Sequence, residues 1–158
     1  MLLRNLTPSD SAGNSTSIEL NDGLPTIAAF ARLCGHAISK DIAPVESLSA
    51  EALAILALGR HQGVFDIRGN KDAFESAERF LAVCIETDKE RRLVMRNKSN
   101  PRQTLRFLEG FRELCQSGLI MHHTQRDFSL TSKGFEKAQV LNPDDYTELT
   151  QFAIEVEH

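Results

Sequence analysis

The chain has 158 residues, 41% of them apolar, which is enough for one compact domain with its own core; Trp is absent and nine of the aromatics are Phe, so that core is expected to be aliphatic with Phe as the large filler. No run of about eighteen apolar residues occurs, and residues 1–24 lack the basic start and continuous apolar stretch of a secretory peptide, so neither a membrane-spanning helix nor export is expected and the cytoplasm is the predicted compartment. The net charge of −4 hides one segment, residues 89–112, with eight basic side chains against Glu90 and Glu109, or +6, and an acidic protein with one concentrated basic stretch predicts a local anionic partner.

Residues 1–24 are rich in Ser, Thr, Asn, Asp and Gly and read as a flexible arm, with strand character only at residues 17–20. Pro25 suits the first turn of a helix to about Ser39, in which Ile27, Phe30, Ala31, Cys34 and Ile38 recur at helical spacing. A connection containing Pro44 leads to Ser49, which caps a second helix over residues 50–60. That helix is apolar nearly all round, as a central helix would be. Val64–Ile67 alternates like a short strand, and Gly69 with Asn70 makes a turn.

The spacing of Phe74, Ala77, Leu81, Cys84 and Ile85 predicts a third helix over residues 71–86. Thr87 followed by Glu90 is a capping box that starts a short helix over 88–97. Residues 97–100 form a turn, Asn100 is the N-cap candidate, and Pro101 takes the first position of a helix over 101–116. Leu105, Leu108, Phe111 and Cys115 line one face of it; Arg102, Arg106, Glu109 and Glu113 lie opposite. Gly110 in mid-helix costs about 1 kcal/mol against Ala, which predicts a close helix approach. Gly118 then ends the helix.

Residues 119–124 and 128–130 read as two strands joined by a tight turn at Gln125, Arg126 and Asp127. Thr131 caps a helix through Val140, Asn142 and Pro143 break it, and a last helix is predicted over 144–156. Its Tyr146, Leu149 and Phe152 form a stripe that needs a cover, either the chain's own helices or the same stripe of a second copy in a homodimer.

Cys34, Cys84 and Cys115 each sit in an apolar pattern and read as reduced core residues. Cys34 with His36 is a single pair, and His122 and His123 point to opposite faces of a strand, whereas zinc needs about four converging ligands. No phosphate-binding glycine loop, nucleophile elbow or paired-carboxylate motif is present. No metal, no cofactor and no enzymatic activity are therefore expected.

In order, residues 71–131 read as helix, short helix, turn, helix, strand, tip, strand. A helix that enters a major groove needs a second helix braced across its back, a part the 88–97 helix would take through Leu93 and Val94. Two stretches carry a resemblance. FRELCQSGLI (residues 111–120) is similar to the end of the recognition helix in winged helix-turn-helix proteins of the bacterial regulator type, and FSLTSKGFEKA (residues 128–138) to the strand and helix that close their wing. The resemblance covers about residues 100–140. The tip is short and carries one Arg, and the helical region before residue 70 has no counterpart in a minimal domain of that kind. In an alternative register, residues 48–59 are the first helix, 64–67 a strand, 71–86 the second helix and 87–100 an insertion; the reading helix is 101–116 in both.

The resemblance implies a mainly α fold with a small β-hairpin: an arm (1–24), an N-terminal helical extension (25–68), a winged-helix domain (69–141) and a C-terminal helix (142–158). It implies a DNA-binding transcriptional regulator, or a winged-helix module that binds protein with the same face. For DNA, Arg102, Gln103 and Arg106 have the donors for base edges; Lys98, Ser99 and Asn100 precede the helix and suit a phosphate at its positive end; Arg91, Arg92, Arg96 and Arg126 would neutralise further phosphates. The bland alternative is a solvated helical face whose arginines pair with nearby glutamates.

Overall fold

The computed structural model describes residues 27–31, 47–69, 80–87 and 91–157. The strand expected at 17–20, the body of the 71–86 helix, Cys34 and His36 lie outside them, as does most of the 25–39 helix; residues 27–31 of it are helical, with Ile27 and Ala31 buried.

Ser49 caps α1 (Ala50–Leu58), its hydroxyl accepting from the Ala52 amide at 3.2 Å. With five residues from Ala52 to Ala57 buried, α1 is the central helix its all-round apolarity predicts. The chain then enters a six-stranded antiparallel sheet in the order β4-β5-β1-β2-β3-β6: β1 (Val64–Arg68), β2 (Ala82–Glu86), β3 (Arg92–Val94), β4 (Ile120–His122), β5 (Asp127–Leu130) and β6 (Ile154–Val156). The remaining helices are α2 (Pro101–Gln116), α3 (Ser132–Gln139), a 3-10 turn (Pro143–Tyr146) and α4 (Thr147–Thr150).

This α+β architecture corrects the expected mainly α fold, a winged helix-turn-helix with extra helices. Three segments read as helix are strand. Residues 81–85 are a continuous apolar run with β-branched Val83 and Ile85, and residues 82–85 are buried; a strand covered on both faces loses the alternation that would mark it. The Thr87 capping box is a hairpin closure: the Thr87 amide and hydroxyl both donate to the Arg91 carbonyl, at 2.8 and 3.1 Å, and the chain continues as β3 where the bracing helix was expected. The last helix stops at Thr150, and Ile154–Val156 adds to the free edge of β3. Tyr146, Leu149 and Phe152 pack on the chain's own core, Phe152 edge-on to Phe107 at 5.5 Å.

The core lies between α1, α2 and one face of the sheet. Phe65, Ile67, Val83, Ile85 and Phe128 point into it from the strands; Phe107, Phe111 and Leu114 meet them from α2. Each such side chain contributes about 1.5–3 kcal/mol by burial. Phe111 also sits edge-on to Phe65 and Phe128, with centroids at 6.0 and 4.9 Å. Gly110 is explained by contact: a Cβ there would stand 2.8 Å from the Ala52 backbone nitrogen, so only glycine lets α2 cross the first turn of α1. Beside it, the Glu113 carboxylate accepts from the Ser49 amide at 2.9 Å, so Glu113 faces α1 where the sequence placed it in solvent. Gly118, at φ +70°, releases the chain into β4.

Candidate nucleic-acid interface

Strand registers decide where the basic segment goes. Arg68, the last residue of β1, pairs with Ala82, the first of β2; beyond β3, Arg96 reaches the same end, and its Nη2 donates to the Arg68 and Phe80 carbonyls at 3.1 and 2.9 Å. The β4–β5 tip points to this end too, because Asp127 at its base pairs with Asp66 and the chain before it runs on toward Arg68. Asn97 then turns the chain into α2.

The turn is built by two uncharged residues, Thr104 and Asn97, outside the predicted contact set. Thr104, 1% exposed, accepts the Asn97 amide on its hydroxyl at 2.9 Å. The Asn97 side-chain oxygen accepts from the Ser99 and Asn100 amides at 3.0 and 2.9 Å. Asn100 occupies the N-cap position, but its side chain makes no capping bond, so it does not offset the positive end of α2. The signal available in the sequence was Asn97 three residues before Asn100, a spacing that favours an Asx-type turn, and a Thr placed on the buried side of a charged helix.

Around that turn Lys98, Ser99, Asn100, Arg102 and Arg106 are exposed and Gln103 is half-buried. Farther along the same outward side stand Glu109 and Arg112, both exposed. Leu105, expected in the apolar face, is 42% exposed among these arginines. Arg126 is exposed at the hairpin tip, two strands from β2 and three from β3, or roughly 14 Å across at about 4.8 Å per strand. The tip is pinned by its histidines: His122 Nε2 donates to the Gln125 carbonyl at 2.9 Å, and His123 Nε2 bonds the Ser129 hydroxyl at 2.7 Å. Gln125 takes φ +49° to make that turn.

Three of the ten predicted residues do not join this group. Arg96 is absorbed into the framework, as described. Arg91 and Arg92 lie at the far end of the sheet, about 13 Å away along β2 at ~3.3 Å per residue. Arg91 pairs with Glu155 at 3.1 Å. Arg92 faces away from α2, beside Glu86 on the outer face, where it helps line a cavity of about 70 Å³ with Asp66, Cys84 and Asp127. Burial, and then the Asp66 carboxylate, push the Cys84 thiol up to about 11, so it stays a protonated core group. Cys115 is fully buried as well.

Among the described residues no group of three or more His, Cys, Asp or Glu has the placement to hold a metal, and no helix is long and apolar enough to cross a membrane. Comparison with protein-family models, with curated proteins and with solved structures finds no match to this chain.

Proposed function

We propose that the chain is a DNA-binding regulator that contacts the duplex with the outer side of α2. One observation carries the reading: Arg102, Arg106 and Arg112 are exposed along a helix whose other side is buried in the core, so the cations stand proud of the fold. The turn at 97–100 and the positive end of α2 add donors suited to phosphate. Arg126, exposed on the β4–β5 tip at the same end of the sheet, adds a further cation for a phosphate. The support for α2 is the sheet and α1, a rigid platform that takes the place of a bracing helix.

Titration of the full-length protein with labelled duplex DNA at a series of salt concentrations tests this. Affinity is expected to fall steeply with salt, with a log–log slope of about −0.9 per phosphate neutralised. Arg102→Ala and Arg106→Ala should each flatten that slope by about one contact, while Arg92→Ala, on the outer face, should leave it unchanged. Absence of duplex binding at low salt would remove the reading.

Leu105 favours a second reading, a protein-binding module using the same surface. An apolar side chain 42% exposed between Arg102 and Glu109 suits a protein partner better than a phosphate backbone. In that case Arg106→Glu and Leu105→Asp should abolish capture of the partner, and duplex DNA should not compete.

A further inference from the structure

At the end of the sheet remote from the α2 turn, a cleft of about 390 Å³ opens between the end of α1, the β2–β3 hairpin, the 3-10 turn and β6. Leu58, Leu93 and Pro143 give it apolar walls; Arg60, His61, Arg91 and Glu155 give it polar ones. We infer that this cleft is a binding site for a small organic anion, a carboxylate carried on an apolar body.

Arg60 is the reason. The residue is half-buried and two acceptors orient its guanidinium: Nη1 donates to the Leu141 carbonyl at 3.1 Å, and Nε donates to His61 Nε2 at 3.1 Å. Among the described residues it makes no ion pair. An arginine has five N–H donors in a fixed fork, so these two bonds orient the group and leave donors, Nη2 foremost, for a ligand. The C-terminal end of α1 offsets at most about half a charge. Arg91 stands across the cleft, and its pairing with Glu155, about half-exposed on both sides, consumes the one acidic side chain among the described lining residues. The described walls thus combine a surplus positive charge with apolar surface, in a volume within the roughly 300–1,000 Å³ of small-molecule sites. A bare inorganic anion would use the charge and leave the apolar walls wet; a neutral apolar molecule would leave the guanidinium without its partner.

The test is an NMR titration of the full chain with benzoate, with benzamide as its neutral isostere. Benzoate is expected to move the amide signals of Leu58, Leu93 and Glu155, and benzamide to bind about tenfold more weakly or worse, since a hydrogen-bonded charge on a guanidinium is worth about that factor. Arg60→Gln should weaken benzoate by a similar factor. Leu58→Trp, which fills the cleft and leaves Arg60 on the Leu141 carbonyl, should abolish benzoate binding even if Arg60→Gln proves poorly folded. Equal binding of benzoate and benzamide, benzoate shifts confined to other surfaces, or undiminished benzoate binding by Leu58→Trp would each overturn the assignment.

Discussion

The two ends of the sheet use the same side chain for opposite purposes. At the α2 end, the buried polar work is done by Thr104, Asn97 and Arg96, which fasten the backbone, and this frees Arg102 and Arg106 to face solvent. At the hairpin end, Arg91 is tied to Glu155 and Arg60 to Leu141 and His61, so the arginines there are part of the walls of a cleft. One run of positive charge in the sequence therefore becomes a framework bolt, a surface stripe and a cleft wall. Strand pairing makes the division: it brings Arg96 to the Arg68 and Phe80 carbonyls and Arg91 to Glu155, while Arg102 and Arg106 stay on the exposed side of α2.

The largest expected effect separates the bolt from the stripe. Arg96→Ala leaves the part-buried Arg68 and Phe80 carbonyls without this donor, and a hydrogen bond to a charged group contributes about 1.5–3 kcal/mol. Loss of both bonds should lower stability by about 2 kcal/mol in denaturant unfolding, whereas Arg102→Ala should change it by less than about 0.5 kcal/mol. Equal effects would mean that the division between framework and surface is false.

The parts of the molecule that the sequence discloses are those whose partners are close along the chain. The helix over 101–116 and the Thr131-capped helix match α2 and α3 nearly residue for residue, and the hairpin after α2 is in place although β4 is only Ile120–His122 and Asp127 belongs to β5, because caps, turn residues and amphipathic spacing are local signals. Strands β2, β3 and β6 are different. Leu81–Ile85 satisfies helical spacing and strand burial equally well, and β6 exists because β3, about sixty residues earlier, offers an unpaired edge. Long-range pairing overrode local pattern there, and it carried Arg91 and Arg92 away from the candidate interface. Leu105 and Glu113 erred for a related reason: which flank of α2 meets α1 is set by Gly110, whose role emerges only when Ala52 stands against it.

A middle-sized effect sharpens the α2 end alone. Thr104→Val keeps the volume but removes the acceptor for the Asn97 amide, which should cost about 1–2 kcal/mol. Because Asn97 sets the amides of Ser99 and Asn100, the same change should weaken duplex binding while Arg102 and Arg106 remain in place. A loss of stability with unaltered DNA affinity would show that the turn supports the fold without shaping the interface.

The smallest expected effect is the most discriminating between the two ends. Arg91 and Glu155 are 61% and 49% exposed, and pairs of that kind contribute about 0–1 kcal/mol. Arg91→Ala should therefore barely move the unfolding midpoint, and it should leave the salt dependence of DNA binding unchanged, because β2 holds Arg91 about 13 Å from the α2 turn. Its effect should appear at the cleft, where Glu155 loses its counter-charge and repels an incoming carboxylate. A flatter DNA salt slope in Arg91→Ala would join the two ends into one binding surface and would require the nucleic acid to wrap along the length of the sheet.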